Sequence, residues 1–332
     1  MHGDPRDGRA ATAFAPGSIG NVGPGFDVLG LAIDGIGDRV TVELATAGAS
    51  RVGEVTGRDA GEIPRDVGTN CAAIAAREYL RRCGMAIEVV VHIDKGLPLS
   101  GGLGGSAASS VAGAYAAHLL VGDLERDGRS AQQPEILCPA TAADALTGDL
   151  LAAALAGETA VAGPHLDNIG PALFGGLVLS RSVDPIDVVP LRVGAPWWLA
   201  LWTPRVRVET RAARAILPED CDRATWVRQM ANTAALVHAF AGGDGELLGR
   251  ALDDRYAEPR RAPLIPRFAA VKAAARQAGA FGGSISGSGP TVFAVAEDED
   301  VARAAAAAMQ RAGEIDSTTH VGAIERRGAR RA

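Results

Sequence analysis

The sequence predicts an α+β chain folded as two lobes, the first holding residues 1–182 and the second residues 183–332. Three observations carry that expectation. At 332 residues, 47% hydrophobic and 22% charged, the chain has an ordinary globular balance and enough length for two domains. Short β-branched runs alternate with longer stretches of helical spacing. Between the halves, residues 182–190 turn polar and carry two prolines, which marks a boundary.

The elements follow in order. After a polar lead, residues 11–15 read as a short strand stopped by Pro16. Residues 17–27, with four glycines and a proline, read as a tightly turned segment and not a regular element. Residues 39–44 alternate like a half-buried strand, residues 70–83 carry Ala, Ile and Leu at helical spacing, and residues 87–93 are β-branched. A glycine–serine loop from Pro98 then runs into a helix of small residues at 107–120. Residues 122–139 are polar and read as an insertion or mobile loop, and residues 141–156 are helical again. Residues 163–176 form a second irregular Gly/Pro segment, carrying His165, Asp167 and Asn168, and a strand begins at 177. In the second half, the apolar, aromatic run 197–202 is a buried strand, and helices are expected at 209–217, 224–241, 245–254 and 265–278. Residues 280–296 hold two short strands around a glycine-rich turn, followed by a helix at 301–312 and a closing strand at 318–325. The basic tail 326–331 reads as a frayed, solvated end.

Bulk properties exclude several classes. The net charge is −6 and there is no basic block, so no nucleic-acid footprint is expected. No run reaches the eighteen apolar residues of a membrane span, and the N-terminal residues lack a signal-peptide layout. Cys71, Cys83, Cys138 and Cys221 are scattered without C-x-x-C spacing, as expected of reduced thiols in a cytoplasmic protein. The chain has two lysines, Lys95 and Lys272, against thirty-one arginines. Neither lysine lies in a G-x-x-x-x-G-K-[ST] loop or a V-A-I-K strand. Phosphate chemistry here must therefore use backbone amides, arginine, a metal, or Lys95 just upstream of the glycine loop.

That loop, residues 98–110 (PLSGGLGGSAASS), is the most informative segment. Glycines bring the backbone close to a ligand, consecutive amides point at it, and the following helix adds partial positive charge, so a phosphate is the natural occupant. Residues 102–107 also fit the dinucleotide pattern G-x-G-x-x-[GA]. Against a dehydrogenase, the preceding strand does not run directly into the glycines, and Asp123 and Glu125 fall in a polar stretch past the helix instead of closing a second strand. Two further polar glycine loops keep it company: residues 21–27 (NVGPGFD) and 282–291 (GGSISGSGPT). The Gly-x-Ser-x-Gly at 283–287 lacks a partner acid and base in hydrolase order and reflects glycine–serine richness.

Together the three loops resemble the three motifs of the galactokinase, homoserine kinase, mevalonate kinase and phosphomevalonate kinase (GHMP) superfamily. Within it, residues 21–27, 165–168 (HLDN), 210–218 (TRAARAILP) and 258–266 (EPRRAPLIP) are most similar to the homoserine kinases. The matching segments keep the expected order from residue 11 to about 295. The resemblance implies an N-terminal lobe like ribosomal protein S5 domain 2 and a ferredoxin-like C-terminal lobe. It implies transfer of phosphate from ATP to L-homoserine on the route to threonine, with Mg²⁺, in a homodimer. Pro98, Gly101, Gly102, Leu103, Gly104, Gly105, Ser106 and Ala107 would cradle ATP, with Asn70 and Lys95 nearby. The family usually has two serines where this chain has Gly105 and Ser106, so Ser106 alone carries the hydroxyl toward the metal, with Glu158 as the acidic ligand. Asn21, Asp27, Asp167, Asn168, Arg214, Arg261, Gly287, Ser288 and Gly289 would bind the substrate, the two arginines taking its carboxylate. Ser106, Asp27 and Thr210 would stand closest to the transfer. The alternatives are a sister kinase acting on another small alcohol, and a non-catalytic ligand-binding member of the same fold.

Overall fold

The computed structural model describes residues 9–126 and 145–332. Its first half runs β1 (Ala10–Gly20), β2 (Leu29–Leu44), β3 (Arg51–Gly57), α1 (Cys71–Arg82), β4 (Val89–Lys95), α2 (Gly105–Arg126), α3 (Ala145–Val161), α4 (Ile169–Phe174), β5 (Leu177–Val183) and β6 (Ile186–Leu191). The second half runs β7 (Trp198–Pro204), α5 (Thr210–Ala215), α6 (Arg223–Gly242), α7 (Gly245–Ala251), α8 (Glu258–Arg261), α9 (Phe268–Gln277), β8 (Gly282–Ile285), β9 (Val292–Ala296), α10 (Glu299–Gly313), β10 (Ser317–Ala323) and β11 (Arg330–Arg331).

The first sheet has the order β11-β1-β2-β4-β3, and the β5–β6 hairpin pairs with the start of β2. Helix α2 is its central support. Ala107, Ala108, Val111, Ala112, Ala116 and Leu120 are all buried, the pattern of a helix covered on every side. Its small side chains let α1 and α3 close in while its inner face lies on β1 and β2.

The second sheet has the order β10-β7-β9-β8 and is wholly antiparallel, the arrangement of a β-α-β-β-α-β ferredoxin-like lobe. Alternation along its strands divides two cores. Ala200, Trp202, Val292 and Ala294 face α9 and α10, packing with Phe268, Val271 and Met309. Leu199, Leu201, Phe293 and Val295 face the other way, into a core continuous with that of the first lobe.

Several expectations need correction. β1 does not stop at Pro16: a register shift between Pro16 and Ser18 absorbs the missing N–H, and the strand continues to Gly20. The irregular turn therefore begins at Asn21. Residues 182–190 form most of the β5–β6 hairpin, with Pro185 in its turn and Pro190 on an edge strand, where proline is tolerated. The chain enters the second sheet only at β7. The segment 163–176 contains α4, whose Pro171 sits in the first turn, where its N–H would have no helical partner. Strand β3 and helix α8 were not anticipated. Of residues 122–139, the first five extend α2 and the rest lie outside the described residues; so do residues 141–144 of the helix expected at 141–156.

The basic tail is not frayed either. Ile324 bridges to Ile33, Gly176 donates to the Glu325 carbonyl, and β11 pairs with β1. Arg330 lies 4.5 Å from the Phe14 ring centroid and Arg331 pairs with Asp123 at 2.8 Å. The C-terminal segment thus returns to the first lobe.

Candidate active site

A cleft of about 330 Å³ lies where the loop between β4 and α2 meets residues 286–289, the β1–β2 turn, the C-terminal end of α3 and the start of α5. The β4–α2 loop alternates handedness: Ser100, Gly102 and Gly104 all have positive φ. At Gly102 a Cβ would lie 2.5 Å from the Ser286 carbonyl, and at Gly104 it would strike the Ser18 hydroxyl, so neither position admits a side chain. The loop is held by its carbonyls and its first amide. Ser286 donates to the Gly102 carbonyl and Thr291 to that of Gly101, each at 2.5 Å, while Ser18 N–H reaches Leu103 at 3.0 Å. Leu99 N–H donates to Asp59. Among the described residues, the Gly105, Ser106 and Ala107 amides opening α2 have no protein acceptor, leaving donors for an anion.

Ser106 Oγ donates to Glu158 Oε1 at 3.0 Å. Glu158 is 5% exposed, and its Oε2 is buried without a partner among the described residues. Burial pushes its carboxyl up to about 7, against the lowering effect of the Ser106 bond. A serine hydroxyl beside an unsatisfied carboxylate oxygen is the donor set a hard divalent cation takes, with phosphate and water completing its shell.

The other end of the cleft is built for a small molecule bearing both charges. Asn21, at φ 67°, donates its carboxamide to the Gly287 carbonyl at 2.8 Å, accepts from Asp27 N–H at 3.0 Å, and donates its own N–H to Asp167 at 3.1 Å. Arg214 grips Asp27 with two bonds of 2.9 and 2.7 Å, and that bond raises its pKa further. Arg261, 3% exposed, donates to the Ala213 and Gly287 carbonyls; burial first, then neighbouring Arg214, lowers its pKa. Both guanidinium groups lie over the Phe26 ring, at 5.4 and 5.3 Å. Burial, then the Asp27 charge, raises Asp167 to about 6. His165 Nδ1 stands 3.9 Å from Asp27, and burial lowers its pKa, favouring the neutral ring. Asn168 accepts from Ser18 at 2.9 Å, and Thr210 Oγ1 is 3.4 Å from Ser288 Oγ.

Most of the expected residues meet here: Asn21, Asp27, Pro98, Gly101, Gly102, Gly104, Gly105, Ser106, Glu158, Asp167, Asn168, Thr210, Arg214, Arg261, Gly287 and Ser288 all line the cleft. Others stand behind it. Leu103 and Ala107 point into the core, and Gly289 supports Gly102 from the far side. Asn70 caps α1, accepting from Ala73 N–H and donating to the Pro64 carbonyl, so both ends of its carboxamide are used away from the cleft. Lys95 is buried against Asp38 and donates at 3.0 Å to the Gly105 carbonyl and to Ser109, bracing the loop from behind. Sequence reasoning passed over Leu99, Ser100, Val161, Ala162, Glu209 and Arg211, which also line the cleft. Arg211 had a local signal, its place between Thr210 and Arg214, but was lost among thirty-one arginines.

Family models match both halves: GHMP kinases N terminal domain over residues 70–176, and GHMP kinases C terminal over residues 236–315. The chain is 37% identical to the homoserine kinase of Chloroherpeton thalassium over 97% of this chain and 99% of that protein. It is 38% identical to the homoserine kinase of Arabidopsis thaliana over 96% of this chain and 83% of that one. Its fold matches the crystal structure of homoserine kinase from Cytophaga hutchinsonii with a TM-score of 0.86 at 37% identity, covering 97% and 96% of the two chains. The crystal structure of L. major mevalonate kinase shares the fold at a TM-score of 0.67 and 14% identity, covering 97% and 98%.

Proposed function

The chain belongs to the homoserine kinases of the GHMP family, and on that premise we propose how its cleft performs the transfer. It phosphorylates L-homoserine with ATP, giving O-phospho-L-homoserine and ADP on the route to threonine. The homoserine hydroxyl oxygen bonds to the γ-phosphorus as the bond to the β,γ-bridging oxygen breaks; ADP keeps that electron pair and the hydroxyl proton is released. Such a transfer depends mainly on positioning and on neutralising charge.

One observation carries the reading: a single cleft joins a cradle of free amides to a pocket holding Arg214, Arg261, Asp27 and Asp167. The amides of 105–107 bind ATP phosphates. Ser106 and Glu158 would hold Mg²⁺, which when bound neutralises charge on those phosphates. At the other end, the amino acid divides the Asp27–Arg214 pair between its own charges. Its ammonium takes Asp27 and Asp167, and its carboxylate takes Arg214 and Arg261. Asp27, paired with Arg214 until substrate enters and with the ammonium afterwards, positions substrate. Thr210 and Ser288 border the transferred group.

A coupled ADP-release assay with homoserine, mevalonate and galactose tests the assignment. ADP release with homoserine alone is expected; equal or faster release with either other alcohol would overturn it. A cytoplasmic homodimer belongs to the same reading. Trp226, Val227 and Met230 on α6, each more than half exposed, supply an apolar face for a second copy, and sedimentation equilibrium tests the stoichiometry.

A further inference from the structure

We propose that Arg211 is a catalytic residue that closes onto the transferred phosphoryl group of ATP, an inference that rests on the kinase reading above. Lys95 lies behind the loop, buried and held by Asp38, Gly105 and Ser109. Arg214 is held by Asp27 and passes to the substrate carboxylate. Arg261 is taken by the Ala213 and Gly287 carbonyls, beside the substrate pocket. Arg211 also lines the cleft, and among the described residues its guanidinium makes no hydrogen bond or ion pair. Glu209 borders the same rim without pairing to it.

The position fits the chemistry. Arg211 follows Thr210, whose hydroxyl is 3.4 Å from Ser288 in the loop that clasps Gly102. The segment leading to α5 is tied to the wall of the phosphate loop through one turn, Ala60–Glu62 with its preceding Asp59. Arg207 pairs with Glu62 by two bonds of 2.6 and 2.5 Å, and Asp59 accepts the Leu99 N–H at 2.9 Å. Arg211 is therefore anchored at its backbone beside the loop while its side chain stays exposed and unengaged.

Charge in a phosphoryl-transfer transition state spreads over three equatorial oxygens, and a planar guanidinium can grip two of them. The Ser106–Glu158 side provides for one flank. With no loop lysine, the opposite flank needs an arginine, and Arg211 alone among the described cleft cations is uncommitted. An exposed side chain also lets ATP enter before the contact forms.

The test compares full-length wild type, Arg211→Ala and Arg211→Lys in the ADP-release assay with homoserine at saturating Mg²⁺, with melting curves recorded in parallel. Arg211→Ala is expected to lower kcat by about 10²-fold or more, the loss known for removing one preorganised donor to developing charge. The homoserine KM should move less than threefold and the melting temperature should hold. Arg211→Lys should recover part of the rate, and millimolar guanidinium should partly rescue the alanine variant. A kcat within twofold of wild type, or a loss carried by the homoserine KM, overturns the proposal. If wild type itself releases no ADP with homoserine, the kinase reading fails, and this proposal with it.

Discussion

Glu158 keeps one carboxylate oxygen on Ser106 and the other buried with no partner among the described residues. That arrangement has opposite consequences for stability and for metal binding. Below about pH 4.5 the group is neutral in the folded and unfolded chain alike. As pH rises through about 7, the folded protein must ionise a group that the unfolded chain has already ionised, so stability is lost across that window. Replacing Glu158 with Gln removes the penalty. At pH 8 without Mg²⁺ the variant should be more stable than wild type by on the order of 2–3 kcal/mol in urea unfolding, with no advantage at pH 4. Millimolar Mg²⁺ should stabilise wild type at pH 8 and leave the variant unmoved, while the variant's kcat collapses. Because the ionised form binds metal, the Mg²⁺ concentration needed for half-activity should rise as pH falls below about 7; a flat profile would remove Glu158 from the metal. Arg214→Ala and Arg261→Ala divide the substrates instead. Each should raise the homoserine KM by tenfold or more while the ATP KM changes little, and equal effects on both would take the arginines out of the carboxylate pocket.

The β4–α2 loop gets its shape from two sources, one local and one distant. Its glycines are visible in sequence because positive φ is a property of single residues, and Ser106 follows them directly. The Asn21–Asp27 turn is legible for the same reason: the interacting atoms lie six residues apart. What holds the loop is not local. Asp38 is wholly buried and accepts from the Gly96 and Leu97 amides at 3.1 Å, from Ser109 at 2.6 Å and from Lys95. Lys95 in turn donates to Gly105, so one ion pair ties both ends of the loop. Asp38 and Lys95 are 57 positions apart, and only the register that sets Arg39 opposite Asp94 makes them neighbours. No spacing rule reveals that, which is why Lys95 reads in sequence as a phosphate ligand. Asp38→Asn leaves Lys95 buried without its counter-charge and should cost about 3–5 kcal/mol in urea unfolding. The ATP KM should rise more than the homoserine KM, because the loose element is the phosphate wall. Adding Lys95→Met to Asp38→Asn should restore part of the stability by removing the orphaned charge. If the double variant is as unstable as the two losses added together, the ion pair is not the tie described here.

At the scale of the molecule, the two lobes were legible and their seam was not. Alternation and spacing are properties of each element, so most strands and helices could be read in order. Which sheet an element joins depends on pairing across the chain, and two prolines at 182–190 look the same in a linker as in an edge hairpin. The tail illustrates this most directly: its arginine-rich composition reads as solvated, yet its second half packs on the first lobe. Ala329 is buried, its N–H donates to Leu173, Arg330 covers Phe14 and pairs with Glu325 at 3.1 Å, and β11 closes the outer edge of β1. The surface ion pairs contribute little by themselves, since Arg330 and Arg331 remain partly exposed. The larger effect of removing residues 326–332 would be to uncover Phe14 and the β1 edge. That deletion should lower stability by about 2 kcal/mol or more, with a fall of several degrees in melting temperature. The core running from the first lobe to Leu199, Leu201, Phe293 and Val295 stays intact, so unfolding should remain a single transition. β1 also carries Ser18, which supports the phosphate loop through Leu103 and Asn168, so the ATP KM should rise modestly while kcat is largely kept. Calorimetry and kinetics on the truncated chain decide between the two readings of the tail. An unchanged melting temperature would mean that residues 326–332 are the frayed end their composition suggests, and that β1 holds its edge without them.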